Sequence, residues 1–290
     1  MSSFRGRTLG RRPLHCVVLG LSLAAWLLAG CSTASGAGHG QASPSGTGTG
    51  TGIEAGPGAA AAVQAEFVSV IQRVLPSVVE IRTSAGLGSG VVLDADGDIV
   101  TNAHVVGAAT SFQVLTAASA GSASADAAQA PLSAVLVGSC PSDDLAVIRV
   151  GDAGRLHPAR FGDTPSIAVG DIVLAIGSPL GLGGSVTEGI VSAVGRSVAE
   201  PASTGAPQAV LTDAIQTSAA INPGNSGGAL VSLDGEVIGI PTLAAVNRGA
   251  GGAAPGIGFA IPASTAVRVA GQLADAGRTG SSAVPPGCHR

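Results

Sequence analysis

The sequence predicts an all-β protein made of two halves of about six strands each, with a short helix at either end. Three observations carry this reading. From Ser77 to Ile261 the chain consists of short runs rich in Val, Ile and Leu, divided by turn signals such as Asp94-Ala95-Asp96-Gly97. No segment of helical period and length separates one run from the next, which favours antiparallel sheets or barrels over a parallel α/β sheet. The pattern pauses at the connector Gly162-Asp163-Thr164-Pro165 and then repeats.

Taken in order, Val63, Phe67, Val70, Ile71 and Val74 recur at helical spacing until Pro76 stops them, which predicts a short amphipathic opening helix. The strands predicted for the first half are Val78–Ile81, Gly90–Leu93, Ile99–Thr101, Ser111–Leu115, Ala134–Val137 and Leu145–Val150. Those of the second half are Asp171–Ile176, Gly189–Val194, Ala209–Leu211, Gly228–Val231, Glu236–Ile240 and Gly256–Ile261. Pro262 to Ala276 then closes the domain as a helix, with Val267, Ala270 and Leu273 on one face. The folded region is therefore 63–276, its halves about 77–160 and 168–262, and 277–290 reads as a disordered tail.

Composition narrows the function. The chain has 290 residues, of which 11% are charged, and its 14 basic residues are all arginine. No basic patch for nucleic acid exists. The first thirty residues read as an export signal: Arg5 to Arg12, then the apolar run Val17 to Ala29, too short for a membrane span of about 20 residues. That stretch ends Leu28-Ala29-Gly30-Cys31 and resembles a bacterial lipobox, in which Cys31 is lipidated and becomes the first mature residue. The expected location is the outer face of the cell membrane, the alternative being an ordinary signal peptide and a secreted or periplasmic product. Loss of residues 1–30 removes four arginines and no acidic residue, so the net charge moves from −4 to −8. Residues 31–62 are Ser, Gly, Thr and Ala with few large apolar side chains, the composition of a disordered tether. Of four cysteines only Cys140 and Cys288 then remain, and spacing alone does not establish that they pair.

The stretch with the most chemistry is Asn222-Pro223-Gly224-Asn225-Ser226-Gly227-Gly228. It sets a lone serine on a tight turn at the mouth of a sheet, where consecutive N–H groups can hold an oxyanion. A serine nucleophile needs a base. His15, His39 and His289 lie outside the predicted fold, and His157 precedes Pro158 in a polar connector, so His104 is the favoured candidate. Asp143 and Asp144 are equal candidates for the acid that orients it.

Thr101-Asn102-Ala103-His104-Val105 resembles the histidine motif of the HtrA/Deg branch of trypsin-fold serine proteases. The likeness continues in order through Asp144-Leu145-Ala146-Val147, Gly177-Ser178-Pro179-Leu180-Gly181, Gly189-Ile190-Val191-Ser192, Ile215-Gln216-Thr217, Asn222 to Leu230 and Gly256 to Pro262. The resemblance implies two six-stranded antiparallel β-barrels, with His104 as base, Asp144 as orienting acid and Ser226 as nucleophile. It places the oxyanion hole at Gly224, Asn225 and Ser226, and the floor of the primary specificity pocket at Ala220 and Ile221. With no carboxylate there a basic substrate side chain would be buried unpaired, so cleavage after small or medium apolar residues is implied. The chemistry takes protein or peptide substrates and calls for no metal or cofactor.

Three departures accompany the resemblance. The family commonly carries PDZ domains after the protease, whereas a short segment follows Ala276, so a form without PDZ domains is expected. Ser218 stands where the family usually has Asp, which puts the ordering of nearby loops in question. Residues 116–129 form an Ala/Ser-rich insertion between His104 and Asp144. Trimers are common in the family, and the residues here do not fix an oligomeric state. The alternative to an endopeptidase is a protease-fold binding or chaperone module whose triad is never assembled.

Overall fold

Among the described residues, twelve strands close into two barrels of identical strand order. The computed structural model describes residues 57–84, 86–116, 130–163, 166–178, 184–199, 210–222, 224–247, 252–281 and 284–290. The expected signal, Cys31, most of the tether and residues 117–129 of the insertion lie outside them.

The first barrel contains β1 (Val78–Arg82), β2 (Leu87–Val92), β3 (Asp98–Thr101), β4 (Ser111–Thr116), β5 (Leu132–Cys140) and β6 (Leu145–Val150). Its order is β1-β2-β3-β6-β5-β4, closed by antiparallel pairing of β4 with β1. The second contains β7 (Ile172–Gly177), β8 (Ser185–Ala199), β9 (Val210–Thr217), β10 (Ala229–Ser232), β11 (Val237–Asn247) and β12 (Gly252–Pro262). Its order, read from β7, is β7-β8-β9-β12-β11-β10, closed by β10 on β7. Each of the twelve predicted runs overlaps a strand, Ala209 lying outside the described residues, and the all-β double-barrel expectation holds.

Burial explains why so many runs are apolar without alternation. Val79, Val92, Ile99 and Ile148 fill the first barrel, while their neighbours Val78, Val91, Val100 and Val147 belong to a second core. That second core also takes Leu174, Ile176, Ala229 and Val231 from the other barrel, whose own interior holds Val173, Ala175, Ile215 and Leu230. Successive strand residues point to opposite faces. Where one face fills a barrel and the other meets its neighbour, both must be apolar.

The ends differ from expectation in three respects. Helix α1 spans Pro57–Val74, so the helix begins within the predicted tether. Pro57 suits the first turn and the Ala59–Ala62 run has high helix propensity, although alanine adds little to an apolar periodicity. Helix α3 spans Ala263–Thr279 and buries Ala266, Val269, Ala270 and Leu273, whereas Val267, expected on the same face, is 39% exposed and lies off the buried face. The predicted disordered tail is instead docked over its described part. Cys288 forms a disulfide with Cys140 at the end of β5, and Ser139 and His289 exchange backbone hydrogen bonds of 2.7 and 2.8 Å.

Helix α3 is also held to the first barrel by charge. Asp98 is fully buried and accepts from Arg149 Nε and Nη2 at 2.6 and 2.8 Å and from Arg278 Nη1 at 2.9 Å. The bond and charge of Asp98 hold the Arg149 guanidinium above its ordinary pKa against the opposing effect of burial. A carboxylate this deep is tolerated because it is paired and hydrogen-bonded.

Candidate active site

The site forms where loops from the two barrels meet. After β3 the chain turns at the extended Asn102 into a one-turn helix, α2 (Ala103–Val106), which carries His104. The β5–β6 turn presents Asp144, 2% exposed and held at φ 49°. Asn102 Nδ2 donates to the Asp144 carbonyl at 2.9 Å, which ties the two loops together.

The Asp144 carboxylate is saturated by donors. His104 Nδ1 lies 3.0 Å from Oδ1 and 2.9 Å from Oδ2, the His104 backbone N–H donates to Oδ1 at 3.0 Å, and the Thr242 hydroxyl donates to Oδ2 at 2.5 Å. A carboxylate that faces a ring nitrogen places the proton on Nδ1, which leaves Nε2 as the basic nitrogen. The His104 side chain is 37% exposed and that of Asp144 is 3% exposed, so the imidazole reaches solvent while its anchor does not. Asp143 is partly buried and its Oδ2 accepts from the Ser142 hydroxyl, which separates it from Asp144. His157 is exposed in its connector, as expected.

Ser226 projects from the turn before β10. Gly224 and Gly227 stand at φ 104° and 80°, where glycine is favoured. A Cβ on Gly227 would also strike the Ser89 carbonyl oxygen and the Thr101 hydroxyl of the first barrel. The Ser226 hydroxyl donates to the Thr242 carbonyl at 3.0 Å. Thr242 thus touches two site residues, its carbonyl taking the serine hydroxyl and its own hydroxyl holding the acid. Sequence reasoning missed it, because Pro241-Thr242 in β11 carries no local motif.

His104, Ser226, Gly224, Asn222, Ile221 and Thr242 line one cleft of about 690 Å³. Among the described residues, the N–H groups of Gly224 and Ser226 donate to no backbone carbonyl outside the strands and helices, while Asn225 N–H donates to Asn222 O at 3.0 Å. The two predicted pocket residues part company. Ile221 is 7% exposed and lines the cleft, while Ala220 is exposed and not part of the lining. The Ala220 carbonyl accepts from Thr187 Oγ1 at 2.9 Å and from Asn225 Nδ2 at 3.3 Å. Ser218 is ordered by β8: its N–H donates to Ile190 O at 3.1 Å and its hydroxyl accepts from Ile190 N at 3.0 Å.

Two closed barrels with His104 and Ser226 lining one cleft, and Asp144 bonded to His104 behind it, define the trypsin-like class. The trypsin-like peptidase domain family matches residues 88–240. The chain belongs to this family and to its HtrA/DegP branch. It is 43% identical over 218 residues to the serine protease PepD of Mycobacterium tuberculosis, a match spanning 72% of this chain and 46% of PepD. Over 193 residues it is 42% identical to the periplasmic serine endoprotease DegP of Escherichia coli K12, covering 66% of this chain and 36% of DegP. Among solved structures, the HtrA-type protease AlgW with a tripeptide superposes with a TM-score of 0.60 at 38% identity, covering 73% of this chain and 64% of AlgW. The chain spans less than half the length of these two curated relatives.

Proposed function

We propose that this chain is a serine endopeptidase acting through an acyl-enzyme. The observation that carries the reading is the buried Asp144 carboxylate on His104 Nδ1, within a cleft that also holds Ser226. Rotation of the Ser226 side chain away from Thr242 O hands its proton to His104 Nε2 as Oγ attacks the substrate carbonyl carbon. The carbonyl oxygen becomes an oxyanion held by the N–H groups of Gly224 and Ser226, with Asn225 shaping the turn between them. The intermediate collapses, the C–N bond breaks, and Nε2 returns the proton to the departing amine. Water then repeats the sequence and releases the acid. Each step exchanges one proton with the imidazole and uses no metal or cofactor.

The substrates proposed are unfolded or exposed segments of proteins outside the cytoplasm, in keeping with the periplasmic designation of the DegP relatives. Leu28-Ala29-Gly30-Cys31 supports export and a lipid anchor at Cys31. Ile221 in the cleft, with no carboxylate among the described residues of its lining, supports cleavage after Val, Ala or Ile. Degradation of reduced, fluorescein-labelled casein with a peptide-library profile tests both statements. Casein loss that disappears in Ser226→Ala, with apolar residues before the cut, is expected. A profile led by Arg or Lys contradicts the pocket assignment. Intact casein and library peptides contradict the endopeptidase reading and favour a binding module.

A further inference from the structure

Ser89 lies in β2 of the first barrel, between Gly88 and Gly90, and is fully buried. All three of its polar groups are engaged, two of them across to the other barrel. Its carbonyl accepts from the Thr101 hydroxyl at 2.6 Å, within the first barrel. Its backbone N–H crosses over and donates to Ser226 O at 3.0 Å. Its hydroxyl crosses over too, donating to Gly224 O at 2.5 Å and accepting from the Ser178 N–H at 2.8 Å. Ser178 N–H can only donate, so the single hydroxyl proton of Ser89 must point at Gly224 O.

Resting on the endopeptidase reading, we propose that Ser89 is a positioning residue that holds the oxyanion hole in its working orientation from the opposite barrel. The peptide between Gly224 and Asn225 lies between the two proposed oxyanion donors, Gly224 N–H and Ser226 N–H. Its N–H is fixed on Asn222 O and its C=O on Ser89 Oγ, so both ends are pinned. Gly224 itself, at φ 104° and without a side chain, supplies no steric restraint on this peptide. Rotation of the peptide would swing the flanking N–H groups off the oxyanion. The Ser89 N–H bond to Ser226 O fixes the Ser226–Gly227 peptide, on the far side of the nucleophile. Substrate is not touched by Ser89; the hydroxyl acts through Gly224, and it also makes the hole depend on correct seating of one barrel against the other.

The test is the kinetics of fluorophosphonate labelling in wild type and Ser89→Ala, since the phosphonyl oxygen occupies the oxyanion site. Ala removes the hydroxyl and keeps the N–H bond to Ser226. One buried hydrogen bond acting in the transition state predicts a maximal labelling rate about tenfold lower. The half-saturating probe concentration is unchanged, and labelling still goes to completion. A purely structural role lowers the fraction of protein labelled at completion, together with the thermal midpoint. That outcome, or equal rates in the two proteins, overturns the assignment of Ser89. Wild-type protein that never labels overturns the endopeptidase reading instead, which keeps the two failures apart.

Discussion

Thr242→Val tests whether the hydroxyl that reaches the buried acid supports the site. Valine keeps the shape of threonine and the backbone carbonyl that receives Ser226, and removes only the donor to Asp144 Oδ2. Asp144 is 2% exposed and accepts from three groups: the His104 N–H, the His104 ring and Thr242. Hydrogen bonds to charged groups contribute about 1.5–3 kcal/mol each, so stability should fall by about 2 kcal/mol. For a folded region of this size that is a drop of roughly 4–8 °C in thermal midpoint. Catalysis loses part of the same interaction, because the aspartate must stay in place as the imidazole becomes charged. We expect a roughly tenfold lower kcat on fluorescein-casein at unchanged KM, since ground-state substrate binding does not use this bond. Thr242→Ser keeps the donor and should restore most of both losses. A Thr242→Val protein with wild-type midpoint and kcat refutes the reasoning, as does a serine variant no better than valine.

Two further predictions concern the C-terminal attachment. The Cys140–Cys288 bond closes a loop of 148 residues, for which the chain-entropy relation gives about 5 kcal/mol. Urea unfolding of Cys288→Ser should show most of that loss, and a change below about 1 kcal/mol contradicts the docking described. Asp98→Asn leaves Arg149 and Arg278 facing a neutral amide where one fully buried carboxylate had held both. Removing one partner of a buried pair costs roughly 3–5 kcal/mol, and the low end applies because water screens the partly exposed arginines. Chemical denaturation of this variant should show a loss of about 3 kcal/mol, and a stability equal to wild type contradicts the pairing.

How much was legible in the sequence depends on whether the signal was local. Each strand announced itself because a short β-rich run between turn residues is a local pattern, yet several ends were misplaced. The run Ala209–Leu211 predicts a strand that stops at Leu211, whereas β9 continues through Thr212 and Asp213 to Thr217, since polar residues inside a strand break the apolar pattern while the ladder persists. The start of α1 was missed for the opposite reason, alanine being a good helix former with little apolar weight. Motif and elimination pick out Ser226 and His104 as candidates and the family resemblance picks out Asp144, which geometry separates from Asp143 by the imidazole it touches. Thr242, Ser89 and the Cys140–Cys288 bond were not legible. The Thr242 hydroxyl meets Asp144, the Ser89 hydroxyl meets Gly224 and Ser178, and Cys140 meets Cys288 across separations of 89 residues or more, and no local pattern marks such a hydroxyl or thiol.

The central claim is that Ser226 is an activated nucleophile, and intact-mass measurement after fluorophosphonate treatment tests it most directly. A single phosphonyl adduct is expected on the wild-type protein, mapped to the peptide containing Ser226, and none on Ser226→Ala under the same conditions. An unmodified wild-type protein, or equal modification of both proteins, contradicts it.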